Sequence, residues 1–123
     1  MQRQAAFELE NWTTQLRKGL LEFCIVNLLA SGELYGYDLV KRLSGIPGLV
    51  VTEGTVYPLL SRLKRMGLVQ SRLEESSSGP ARKYYDLAPQ GRKTLAFMNG
   101  RWAELARAID GLLEDAQGKG RPK

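Results

Sequence analysis

Histidine is missing altogether from the 123 residues, and Cys24 is the single cysteine. Without imidazole there is no Ser-His or Cys-His nucleophile pair, no imidazole metal ligand, and no acid-base group whose unperturbed pKa lies near neutrality. Cys24 has no histidine to activate it and cannot close an internal disulfide; on an apolar helical face it reads as a small core residue. Glu74 and Glu75 are adjacent carboxylates, but neighbours on a strand point to opposite faces and cannot share a substrate. No ligand cluster has metal-binding spacing. An enzyme is therefore not expected, nor is a metal or cofactor. Long hydrophobic runs are lacking too: the greasiest stretch, Leu20 to Ala30, is too short to span a bilayer and carries Glu22 and Asn27. With no basic n-region ahead of a long apolar stretch, the expectation is a cytoplasmic protein without a signal peptide.

What is present is an ordinary globular composition, 43% hydrophobic and 25% charged, with room for one domain. Its 18 basic and 13 acidic side chains leave a net charge of +5. Between Tyr35 and Lys93 ten basic residues face five acidic ones, so the whole surplus belongs to the middle of the chain while the flanks balance. A local basic footprint of this kind suits an anionic partner such as nucleic acid.

Residues 1–12 read as an N-terminal arm or short helix. A first long helix follows, with Thr13 or Thr14 as its cap, Leu16, Leu20, Phe23 with Cys24, and Asn27 with Leu28 at helical spacing, and Gly32 as its stop. A short second helix runs from Tyr37 to Leu43 with Gly36 as N-cap. The third starts near Thr52, turns Val56, Leu59, Leu60 and Leu63 inward and stops at Met66-Gly67; Pro58 inside it predicts distortion over Gly54 to Pro58. Leu68 to Leu73 and Arg82 to Leu87 are strand-like and enclose a flexible polar tip, Glu74 to Ala81. Helix, helix, helix, hairpin is the order of a winged helix-turn-helix over residues 13–88: a mainly α fold with a small β-hairpin wing. From Pro89 a last helix runs to about Gln117, ahead of a disordered tail at 118–123. Its apolar residues Leu95, Met98, Trp102, Leu105, Ile109 and Leu112 step by 3 and 4 in alternation. That is a heptad seam, expected to hold a homodimer, with packing on its own domain as the alternative.

On a helical wheel of the third helix, Val56, Leu60 and Leu63 face inward and Gly54, Pro58, Ser61 and Arg65 stand opposite, with Thr55, Tyr57 and Arg62 on the shoulders. Small residues let a backbone approach a surface closely, while hydroxyl and guanidinium groups on the rim can reach base edges and phosphates in a major groove of double-stranded DNA. Thr52 lies at the start of this helix. Arg82 and Lys83, after the hairpin tip, are placed to reach a phosphate or a minor groove, and Lys41 to add a phosphate contact. A winged-helix module that binds an acidic protein instead of DNA is the competing reading.

The strings Leu34-Tyr35-Gly36-Tyr37-Asp38-Leu39, Glu53-Gly54-Thr55-Val56-Tyr57-Pro58-Leu59-Leu60-Ser61-Arg62-Leu63 and Arg82-Lys83-Tyr84-Tyr85-Asp86-Leu87, with Gly91 and Trp102 after them, resemble the PadR family of bacterial transcriptional regulators. The likeness spans about Leu16 to Leu112. It implies a dimeric winged-helix repressor joined by its C-terminal helices, with Tyr37, Thr55, Tyr57, Arg62, Arg82 and Lys83 where family members meet DNA. Trp102 matches a tryptophan that stacks on planar ligands in some multidrug-sensing relatives, which implies a small aromatic effector. Ala88 departs from the family's usual Thr and forfeits an N-cap worth about 1 kcal/mol.

Overall fold

The structure, a computed structural model, describes residues 2–118, and of residues 2–7 the backbone alone. Aliphatic side chains from three helices and a small sheet meet in one core. The elements are α1 (Gln2–Leu29), β1 (Leu34–Tyr35), α2 (Gly36–Ser44), α3 (Glu53–Arg65), β2 (Val69–Ser76), β3 (Gly79–Leu87) and α4 (Pro89–Ala116). Helices α1 to α3 enclose Ile25, Leu29, Leu39, Leu43, Val56, Leu60 and Leu63, and the sheet closes the core with Val69, Tyr85 and Leu87. This is a winged helix with a long helix appended. No described helix is long and apolar enough to cross a membrane.

Helix α1 differs from expectation in two ways. It runs unbroken through residues 2–12, so Thr13 and Thr14 are interior and cap nothing; their hydroxyls donate instead to the carbonyls of Leu9 and Glu10, four residues back, at 2.8 and 2.9 Å. Its core face is Leu21, Ile25, Val26 and Leu29, whereas Leu16 is exposed and Phe23, Cys24 and Leu28 are half-buried. The helix is apolar nearly all round from Leu20 to Ala30, and the periodicity legible in the sequence marks the side turned toward α4. There the rings of Phe23 and Trp102 lie 5.6 Å apart. Burial pushes the Cys24 thiol above its usual range, which keeps it protonated and unreactive.

Helix α3 is sharply punctuated. Thr52 caps α3 and Met66 closes it. Gly67, at φ +79, takes the left-handed conformation, and two hydrogen bonds of 3.0 Å, Gly67 N–H to Lys64 and Leu68 N–H to Leu63, satisfy carbonyls that the helix end would orphan. Pro58 lies inside α3, and the helix continues through it as expected. The carbonyl it deprives of a donor belongs to Gly54, an exposed residue, so no buried polar group is stranded. Gly36 is the first residue of α2 rather than its cap, with Tyr35 at the cap position. It is buried, because a Cβ there would stand 3.1 Å from the Tyr57 ring and 3.3 Å from that of Tyr85.

The wing is longer and its tip tighter than the sequence suggests. Strands β2 and β3 pair antiparallel from Val69↔Leu87 to Ser76↔Gly79, leaving a two-residue turn at Ser77 and Ser78. An irregularity between Glu74 and Ser76 takes up the residues around Pro80, which cannot donate to the ladder. The short strand β1, which sequence patterning does not reveal, adds to the other edge of β3 through Leu34↔Tyr85 and Tyr35↔Tyr84, giving the order β1-β3-β2.

Helix α4 leaves the wing at a crowded junction. Ala88 N–H donates to the Leu68 carbonyl at 2.9 Å, a backbone bond at the position where no side-chain cap exists. Gly91 is buried over the same carbonyl: a Cβ there would fall 2.0 Å from the Leu68 oxygen. Backbone on both sides leaves neither partner free to yield. Gly91→Ala is expected to cost about 1–3 kcal/mol or more as α4 is pushed off the sheet, measurable as a lowered urea midpoint; unchanged stability would mean that the junction is pliable.

Candidate nucleic-acid interface

The amphipathic pattern of α3 decides which of its residues are available. Val56, Leu60 and Leu63 are almost wholly buried, so the opposite edge, Gly54, Pro58, Ser61 and Arg65, is held outward and all four are exposed. No hydrogen bond or ion pair among the described residues engages the Ser61 or Arg65 side chain.

Thr52 and Thr55 are exposed but committed to the helix start. Thr55 Oγ1 accepts from the Thr52 N–H at 3.2 Å and donates to the Thr52 carbonyl at 2.8 Å. The Thr55 hydroxyl thus works as part of a capping box; with the Thr52 hydroxyl also within hydrogen-bond distance at 3.3 Å, its methyl is what is left for an outside partner. Tyr57, expected on a shoulder of the outward face, is half-buried with its ring and hydroxyl against Gly36. Burial, reinforced by the Glu53 charge, raises its pKa. It locks α3 to the start of α2 rather than projecting from the helix. Arg62, on the other shoulder, is paired with Glu22 of α1 at 3.0 Å.

Aromatic rings hold the surrounding cations. Lys41 Nζ stands 5.6 Å from the centre of the exposed Tyr37 ring, one turn back on α2. Arg82 lies 5.1 Å over Tyr35, and Tyr35 and Tyr84 are 5.8 Å apart. Arg72 stacks 4.8 Å over Tyr84 and makes a two-pronged ion pair with Glu33, at 2.7 and 2.6 Å. That pairing holds the Glu33 carboxyl below its ordinary range and pushes Arg72 up. Arg82 and Lys83 do not act as a pair: strand alternation sends them to opposite faces, Arg82 with Tyr84 outward and Lys83 over the Tyr85 ring, 5.9 Å from its centre, on the helix side. Tyr35 and Tyr84 are the residues sequence reasoning missed here. Their cross-strand pairing depends on β1, and two residues leave too short a signal to find it.

These features define the class of protein: a winged helix whose third helix presents the exposed edge Gly54, Pro58, Ser61 and Arg65, with a hairpin that carries Arg82 and Lys83. The pattern of the Transcriptional regulator PadR-like family matches residues 25–97, and the chain belongs to that family of transcriptional regulators, not to an enzyme family. Among curated proteins it is similar to "Transcriptional regulator Rv3488" of Mycobacterium tuberculosis (strain ATCC 25618 / H37Rv), 32% identical over 106 residues that cover 86% of this chain and 97% of that protein. Its fold is similar to a PadR family transcriptional regulator from Eggerthella lenta DSM 2243, with TM-score 0.78 and 30% identity over 91% of this chain and 97% of that one. It is also similar to Bacillus subtilis PadR solved in complex with operator DNA, with TM-score 0.59 and 27% identity over 64% of this chain and 46% of that one.

Because its hydroxyl completes the start of α3, Thr55→Ala is expected to destabilise the fold by about 1 kcal/mol in addition to any effect on a ligand, while Thr55→Ser retains most of the stability. Urea unfolding checks this, and an Ala variant as stable as the parent would show that the hydroxyl is free for an outside partner.

Proposed function

We propose that the chain is a sequence-specific binder of double-stranded DNA that represses transcription as a homodimer on an inverted repeat. The observation that carries this reading is the α3 edge from Gly54 through Pro58 and Ser61 to Arg65, exposed along its length, in a fold that also holds the cations Lys41 and Arg82 over tyrosine rings. Small side chains there allow the helix backbone deep into a major groove, and the Arg65 cation at the end of the edge suits a phosphate. The operator complex of the Bacillus subtilis relative supports the same partner. A dimer lying across its operator represses by excluding polymerase, a role that sets the protein in the cytoplasm.

The dimer reading rests on α4. Leu95 and Met98 are partly given over to the subunit's own core, which narrows the seam to the stretch beyond them. Trp102 is 44% exposed in the single chain, and Leu105, Ile109 and Leu112 are exposed as well. Phe97 and Leu113, outside the heptad positions, are equally uncovered, as are Leu9, Trp12 and Leu16 on α1. Apolar area of this extent on two neighbouring helices fits a second copy of the chain better than solvent. Trp102 and Phe23, 5.6 Å apart, offer an aromatic wall for a small planar effector between the subunits, whose binding would shift the dimer and release DNA.

Two recognition helices on one side of a duplex require half-sites about 10 bp apart or a multiple of it. With about three phosphates neutralised by each subunit, affinity should fall with a log-log salt slope of about −5. Arg82→Ala should flatten the slope and weaken all sequences alike, whereas Ser61→Ala should lower preference for the cognate site by about 1–3 kcal/mol. Mobility-shift titrations at several salt concentrations test this, and equal affinity for selected and scrambled duplexes would defeat it.

Trp102→Ala and Ile109→Asp should each shift the dimer toward monomer, because truncating a large aromatic or placing a charge in a buried seam costs about 3 kcal/mol or more. A light-scattering mass that stays dimeric in both at low concentration refutes the seam.

A further inference from the structure

The flank of α3 turned toward α1 carries an ion pair that DNA recognition does not require. Arg62 Nη1 stands 3.0 Å from Glu22 Oε2, and the two side chains lie at different depths, Arg62 56% exposed and Glu22 18%. Glu22 Oε2 is shut off from solvent and accepts no hydrogen bond, because the guanidinium is close but out of line. A carboxylate oxygen deprived of both water and a donor is costly to maintain. Charge attraction to Arg62 is what offsets that cost.

The pair borders a cleft of about 520 Å³ between α1 and α3, whose walls include Lys18 and Arg62 over Leu21 and Leu59, together with Gly54 and Pro58 from the outward edge of α3. A duplex seated on that edge brings one of its phosphate strands past the cleft, since the backbones flank the groove a recognition helix enters. Arg17, also on the cleft, is turned away to the Gly48 carbonyl, to which its Nε donates at 2.9 Å. Lys18 and Arg62 therefore remain to meet the strand, and Glu22 already holds one of them.

We propose, on the reading that α3 meets DNA, that Glu22 is a positioning residue that sets DNA affinity: its carboxylate competes with a DNA phosphate for Arg62 and holds sequence-independent binding down. A phosphate must either draw the guanidinium away, stranding the desolvated Glu22 oxygen, or share it and lie near a second negative charge. Both oppose binding, and both act on backbone contacts, so the effect is uniform over sequences.

The test uses the full chain and a random-sequence duplex long enough for two half-sites, with fluorescence anisotropy across a salt series and circular dichroism to confirm folding. Glu22→Gln and Glu22→Ala load the buried position differently, so both are made. Each should bind roughly 3- to 10-fold tighter at low salt, with a slope steeper by about 0.9, the value for one more neutralised phosphate. Arg62→Ala should change the parent slope by much less than that, and should abolish the gain when combined with Glu22→Gln. Folded Glu22 variants that bind no tighter, or an Arg62→Ala that removes a full phosphate's worth of slope from the parent, overturn the proposal. A parent chain that binds no duplex even at low salt removes the DNA reading along with it, whereas parent binding that ignores Glu22 removes this proposal alone.

Discussion

The arrangement of the molecule depends on the burial of one edge of α3. Val56, Leu60 and Leu63 are buried in one core cluster with residues of α1, α2 and the sheet, and their exclusion from water fixes the rotation of the helix about its own axis. Once that rotation is set, Gly54, Pro58, Ser61 and Arg65 have no direction left but outward. Tyr57 strengthens the same constraint by filling the space that Gly36 leaves open at the start of α2. Presentation of the outward edge is thus a by-product of core packing, and its stability is drawn from residues that never meet a ligand.

Helix α1 has two apolar sides because it has two neighbours. Leu21, Ile25 and Leu29 serve the winged-helix core, while Phe23 reaches Trp102 on α4. The same helix carries Glu22, whose carboxylate extends to Arg62 on α3. One element therefore connects the long terminal helix to the flank of α3, through an aromatic contact on one side and a charge on the other.

Local signals were legible in the sequence where a single residue's chemistry is enough. The Thr52 start of α3, its stop at Met66-Gly67 and the Pro89 start of α4 follow from capping rules, and the inward set Val56, Leu60 and Leu63 follows from periodicity. The winged-helix class follows from element order. What escaped reading depends on residues far apart in the chain. Glu33 with Arg72 and Glu22 with Arg62 are each separated by about 40 positions, and neither member signals its partner. The core face of α1 was hidden because an all-round apolar helix gives no contrast between sides. Tyr57 was placed on a shoulder because a wheel gives angles but not the void above Gly36 into which a long side chain can turn.

The wing has a further consequence for the behaviour of the protein in a crowded solution. With the order β1-β3-β2, strand β2 lies at the border of the sheet, and a strand in that place exposes unpaired backbone groups on which another chain can build. Here Arg72, Glu74 and Glu75 line that border, and the irregular pairing beyond Glu74 breaks its regularity just where it reaches furthest into solvent. Charges of both signs and a broken ladder make β2 a poor template for strand addition, so the hairpin can extend as an exposed arm without drawing its neighbours into aggregates.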